Sequence, residues 1–211
     1  FAQHGESGRW MSELFPHMSQ CADDMAFLHG ITSGSSNHSP AVYHLTTGKI
    51  QPGSASIGSW ITYGLGSENQ DLPGFVVLGN GIPAVGGAGI YSSGFLPASH
   101  QGTLFRMGGP PIIDVQRRPG MTVEQQRREL DVLRWLNRQH AAEREDTDDL
   151  ETRIAAYETA FRMQTAAPEL VELARETDAT KKMYGLHDPV AQTFGTQCLL
   201  ARRMVERGVR F

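Results

Sequence analysis

The run "GFVVLGN", residues 74 to 80, constrains the fold of this chain most. It is a compact apolar segment bounded by glycines, too short for an ordinary helix and suited to a strand. "MAFLHGI", residues 25 to 31, reads as a second short buried strand. Two such strands in one sheet predict a parallel pair. A parallel pair needs a crossover, which helices between residues 39 and 64 would supply.

The intervening segments carry helical signals. Ser39-Pro40 predicts a helix over residues 39 to 48, with serine as cap and proline at the first position. "SIGSWITYGLG" predicts a second short helix ended by Gly64 or Gly66. Nearer the start, Trp10, Leu14, Phe15, Met18, Cys21 and Met25 recur at spacings of three and four. That pattern predicts an amphipathic helix across residues 7 to 25, with Pro16 in its first turn or kinking it.

From Gly79 to Gly120 the chain is rich in glycine and proline, which predicts ordered loops. These glycines lack the strand-to-helix setting of a phosphate-binding loop. From Thr122 onward the pattern is helical, first over 122 to 145 and then from Asp148, with Pro168 starting a new turn. The mixed charges there fit a solvated face with i,i+4 pairs. The last helix, residues 191 to 208, ends at Gly208 and is followed by Val209-Arg210-Phe211, which reads as entry into a further strand. The chain therefore reads as an internal fragment of an α/β protein, with a helical segment in its C-terminal half.

Composition narrows the function. A formal charge of -4 argues against an unaided grip on nucleic acid or anionic membrane. Two cysteines, Cys21 and Cys198, exclude a disulfide framework and a cysteine-rich zinc site. No apolar run reaches membrane-spanning length, and no signal peptide is visible. The eight histidines are scattered, and none forms a His-Glu-x-x-His zinc motif. His38 differs from the others in setting. It follows the expected first strand, precedes a helix start, and sits among Ser36, Asn37 and Ser39. Backbone N–H groups at such a start attract anions, and an imidazole there adds charge or proton transfer. The plainer reading of the same residues is that Ser39 caps the helix and His38 points to solvent.

The run His38-Ser39-Pro40, followed by Thr47-Gly48-Lys49, resembles the sulfatase signature Cys-x-Pro-Ser-Arg…Thr-Gly-Arg. In sulfatases that cysteine becomes the formylglycine nucleophile, at a helix start facing a divalent metal. Here His38 takes the place of the cysteine, Ala41 of the serine and Val42 of the arginine. Longer stretches, "QHGESGRWMSELFPHMSQCADDMAFLHGI", "NHSPAVYHLTTGKIQPGSASIGSWITYGLGSENQDLPGFVVL", "SSGFLPASHQGTLFR" and "YETAFRMQTAAPEL", resemble the DUF1501 proteins. These are bacterial, sulfatase-like members of the alkaline phosphatase superfamily, abundant in planctomycetes.

That resemblance implies a three-layer α/β/α sandwich, of which residues 1 to 211 form a single partial domain. It implies an exported or periplasmic hydrolase of small or polymeric sulfate or phosphate esters. It also implies a divalent metal ion held by Asp and His motifs beyond both ends of this chain. Asn37 and His38 would line the anion pocket as the catalytic candidates, with Ser39 and Thr47 binding the anion or supporting the helix. His38 is left with three roles: metal ligand, acid/base, or non-nucleophilic replacement. A binding or scaffold protein that kept the fold without the reaction is the alternative reading.

Overall fold

The computed structural model describes residues 1–79, 84–106, 117–142 and 148–211. The chain divides into two compact units, Phe1–Ser33 and Gly34–Phe211.

The first unit is built on a hairpin. Strands β1 (Ala2–His4) and β2 (Arg9–Met11) pair antiparallel, with Gln3 opposite Trp10. Gly5 and Gly8 supply the positive φ angles of the connection, 69° and 59°, where a side chain would be strained. A 3₁₀ helix, Met18–Asp24, follows. The Asp23 carboxylate there accepts the backbone N–H groups of Glu6 (2.8 Å) and Ser7 (2.9 Å), fixing the hairpin turn.

The amphipathic helix expected over residues 7 to 25 is therefore replaced by a strand, a turn and a 3₁₀ helix. Gly8 in the left-handed region and Pro16 without an N–H both oppose a continuous α-helix. The apparent stripe was not a buried face, since Trp10 and Leu14 are exposed.

The strand expected at Met25–Ile31 is also absent. Residues 25 to 28 have no regular structure and 29 to 30 form a turn. Phe27 stacks on His29, and the Arg9 guanidinium lies 5.9 Å from the Phe27 ring centre. Leu28 and Ile31 are exposed. An apolar run becomes a strand only when a neighbour takes its backbone hydrogen bonds; this one has no such neighbour among the described residues.

The second unit holds helices α1 (His38–Thr47) and α2 (Ile57–Leu65), then strand β3 (Val76–Gly79). Gly48 and Gly66 end the two helices at φ 74° and 67°. The parallel partner of β3 is β4 (Thr103–Arg106), in the register Val76↔Thr103 to Gly79↔Arg106. Residues 80–102 connect them; the described part carries the 3₁₀ turns Gly87–Tyr91 and Ala98–His100, in a stretch expected to form ordered loops. On the other edge of β3, Phe211 N–H donates to the Gly74 carbonyl (3.0 Å) and Val76 N–H to the Phe211 carbonyl (2.8 Å). Those two bonds are the pattern of a parallel bridge centred on Phe75.

Helices α3 (Val123–Ala142), α4 (Asp148–Val171), α5 (Asp178–Met183) and α6 (Gln192–Val205) complete the unit. Pro168 does not begin a new turn but lies inside α4. Alternate residues of β3 face opposite sides. Val76 and Leu78 pack with Phe105 against Met163 and Leu170 of α4 and Met204 of α6. Phe75 faces the other way, over Gly58 of α2.

Helix α2 is unusual in what it buries. Gly58, Ser59 and Thr62 are inside, while Ile57, Trp60, Tyr63 and Leu65 are exposed. The buried Ser56 and Ser59 hydroxyls bond to each other at 2.9 Å, and Ser59 donates to the Ser92 carbonyl.

The protein is thus mixed α/β. No helix among the described residues is long and apolar enough to cross a membrane.

Candidate functional site

The candidate corner is the start of α1. The helix begins two residues earlier than Ser39 would have it: Asn37 is the N-cap, in extended conformation (φ -82°, ψ 136°), and His38 is the first helical residue. Asn37 N–H donates to Ser35 Oγ (3.1 Å), and its carbonyl accepts from Ala41 N–H (3.0 Å). Its side chain does not cap the helix.

Pro40 is third in the helix, where a missing N–H loses no helical hydrogen bond. The N–H groups of His38 and Ser39 are the two donors left at this end, and neither has an acceptor among the described residues. The helix dipole adds positive potential there. Such an end can take an anion, through two N–H donors rather than the usual larger set, because proline removes one.

Asn37 and His38 are exposed and Ser39 is half-buried. The structure brings these three together. It does not bring Thr47 to them, because ten helical residues separate the ends of α1 by about 13 Å. Thr47 works at the other end, where Oγ1 donates to the Tyr43 carbonyl (2.8 Å) and accepts from Lys49 N–H (3.3 Å). Its place is in closing the helix, beside Gly48.

Two further residues of α1 carry interactions that the scattered-histidine reading missed. Tyr43 Oη donates to the Gly86 carbonyl at 2.7 Å. This bond holds α1 against the connection that leaves the carboxyl end of β3. His44 Nδ1 accepts from Gly34 N–H at 2.9 Å, which fixes Nε2 as the protonated nitrogen of the neutral ring. The sequence signal for both was their spacing: Tyr43 and His44 lie one turn or more inside a helix whose start was legible.

His100 lies at the end of the Ala98–His100 turn, edge-on to Tyr63 at 5.4 Å, and burial pushes its pKa down. No group of three or more His, Cys, Asp or Glu that could hold a metal occurs among the described residues.

A family model described as "Protein of unknown function (DUF1501)" matches residues 1–211, and the chain belongs to that family. No curated protein and no solved structure matches it.

Proposed function

We propose that this DUF1501 chain is part of a metal-dependent, sulfatase-like hydrolase of sulfate or phosphate esters, in which the start of α1 receives the anionic group. The observation that carries this reading is the Tyr43–Gly86 hydrogen bond. It anchors α1 to the segment leaving the carboxyl end of β3, the side on which open α/β sheets bind ligands. The two free N–H groups of His38 and Ser39 would then meet the anion, with the His38 imidazole and the Asn37 amide beside it.

The three-layer sandwich belongs to the same proposal. Its support is that helices meet both faces of β3, with α4 and α6 on one side and α2 on the other. Treating the 211 residues as one partial domain, exported or periplasmic, follows from the sulfatase-like resemblance. The described residues do not by themselves supply a ligand set for a divalent ion. That ion would be held by Asp and His motifs outside these residues.

A scaffold reading has its own support. The His38 residue is exposed, and its side chain makes no hydrogen bond or ion pair among the described residues. A catalytic imidazole is ordinarily oriented by a second group.

The test is a titration of ¹⁵N-labelled protein with sulfate and with phosphate. The His38 and Ser39 amides should shift together and saturably, and His38→Ala should weaken binding by about threefold to tenfold. In the full-length protein, the same variant should lower turnover of p-nitrophenyl sulfate or phosphate with divalent cations present. Anion binding without turnover of either ester would establish the scaffold. Amides that stay unmoved at high anion concentration would refute both uses of this corner.

A further inference from the structure

We infer that the protein carries a binding groove for a neutral saccharide chain at the amino ends of β3 and β4, away from the α1 corner. The groove has a volume of about 610 Å³. Its walls are the segments that lead into the two strands, residues 67–74 and 98–103, and its floor is the face of α4 bearing Ala155, Ala156, Thr159 and Ala160. The α4 side chains on that floor are small, which keeps them from filling the groove.

The chemistry of the lining selects the ligand. Arg162 is the one charged residue among the described residues lining it. Its Nε donates to the Gln70 carbonyl (2.6 Å) and lies 3.8 Å from an Asp71 carboxylate oxygen, which offsets its charge. A single cation beside a carboxylate gives a phosphate or other strong anion little net attraction. The side chains of Gln70, Ser99, Gln101 and Thr159, by contrast, hydrogen-bond to nothing among the described residues. Amides and hydroxyls present donors and acceptors together, which matches hydroxyl groups that are also both.

A second feature lies across the same short turn. Ala98 and Ser99 line the groove, whereas the next residue, His100, packs edge-on against Tyr63. Tyr63 continues to Trp60 (6.2 Å), and Trp60 to Phe95 (5.6 Å), all three exposed. A three-residue 3₁₀ turn is only about 6 Å long. A chain of several sugar rings leaving the groove would reach those aromatic faces, on which the apolar face of a pyranose packs. An extended peptide fits less well. Strand addition of a peptide needs an open strand edge, and here the walls are the segments leading into the strands and the floor is α4.

The experiment titrates the protein with cellohexaose, laminarihexaose, maltohexaose and chitohexaose, and with a neutral Gly-Ser decapeptide as comparison, by calorimetry and tryptophan fluorescence. At least one hexasaccharide should bind with a dissociation constant of about 1 mM or lower. Gln101→Ala and Gln70→Ala should each weaken it about threefold to tenfold. Trp60→Phe should remove the fluorescence change, and Trp135→Phe should leave it intact. These variants change exposed side chains, so their thermal unfolding should match that of the parent. The inference is overturned if no hexasaccharide binds at ~10 mM, if the decapeptide binds more tightly, or if both glutamine variants bind normally. None of these outcomes bears on the α1 corner, which the anion titration tests separately.

Discussion

Gly58 of α2 lies so close to the ring of Phe75 that a Cβ on it would stand 2.7 Å from a ring carbon. Phe75 is buried and bridges to Phe211, so its ring has little room to move. Gly58→Ala is therefore expected to destabilise the protein by about 1–3 kcal/mol, despite the roughly 1 kcal/mol that alanine gains over glycine in a helix. Chemical denaturation checks the sign: an increase in stability would mean that the contact between α2 and the sheet is loose.

Arg203 of α6 is buried and donates to the Glu169 and Glu172 carbonyls at the end of α4, at 2.8 and 3.1 Å, and to Glu176 at 3.0 Å. It satisfies acceptors that a helix end otherwise leaves open. Arg203→Met keeps the apolar stem and removes the donors. It should lower the denaturation midpoint by an amount equivalent to about 2–3 kcal/mol, with Arg203→Lys falling between the two. An unchanged midpoint would mean that water replaces the guanidinium without loss.

A pH effect is expected at the α3–α4 contact. The hydrogen-bonded Arg127 guanidinium, with Arg134 adding to it and burial opposing it, holds the Glu158 carboxyl at about 2. The ordinary value is 4.5, so the folded state favours the ionised form. The resulting stabilisation is fully present above pH 4.5 and fades as pH falls toward 2. Both arginines are about one-third exposed, which limits the effect to ~1–2 kcal/mol. Melting curves of the parent and Glu158→Gln should differ at pH 6 and converge near pH 2. A gap that stays constant across this range would show that the pair contributes no differential proton binding.

Tyr43→Phe removes the Oη donor to Gly86 and nothing else from α1. The expected loss is about 1 kcal/mol. Faster amide hydrogen exchange in His38–Thr47 is also expected, with α6 unchanged. Equal acceleration in both helices would indicate that α1 unfolds only with the whole unit.

What the sequence made legible was local. Pro40 marked the start of α1 to within two residues, and Gly48 and Gly66 lie at the ends of α1 and α2, because proline fixes φ and glycine tolerates the left-handed region. "GFVVLGN" marked β3 because it is a compact apolar run bounded by glycines. Pairing was not legible. "MAFLHGI" and "TLFR" look alike as apolar runs, and only the second acquired a partner. β4 was hidden in a glycine- and proline-rich stretch whose composition suggested loops. Pro168 was misplaced because packing of Met163, Ala166 and Leu170 holds α4 together across it. Part of that 79-to-120 stretch, residues 80–83 and 107–116, lies outside the described residues. At the candidate site, the grouping of Asn37, His38 and Ser39 could be read from their order. The distance to Thr47 and the Tyr43 anchor needed the helix in space.

The second edge of β3 is met by residues far along the chain. Arg210 donates to the Gly66 carbonyl across 144 positions, and Phe211 bridges to β3 beside it. During synthesis at about 5–20 residues per second, roughly 7–30 s would separate the emergence of these partners. Through that interval β3 has an unpaired edge, and Leu72 and Phe105 lack the cover of Met204 and Val209. Until Phe211 pairs with β3, the second unit is therefore vulnerable to association with neighbouring nascent chains along that edge.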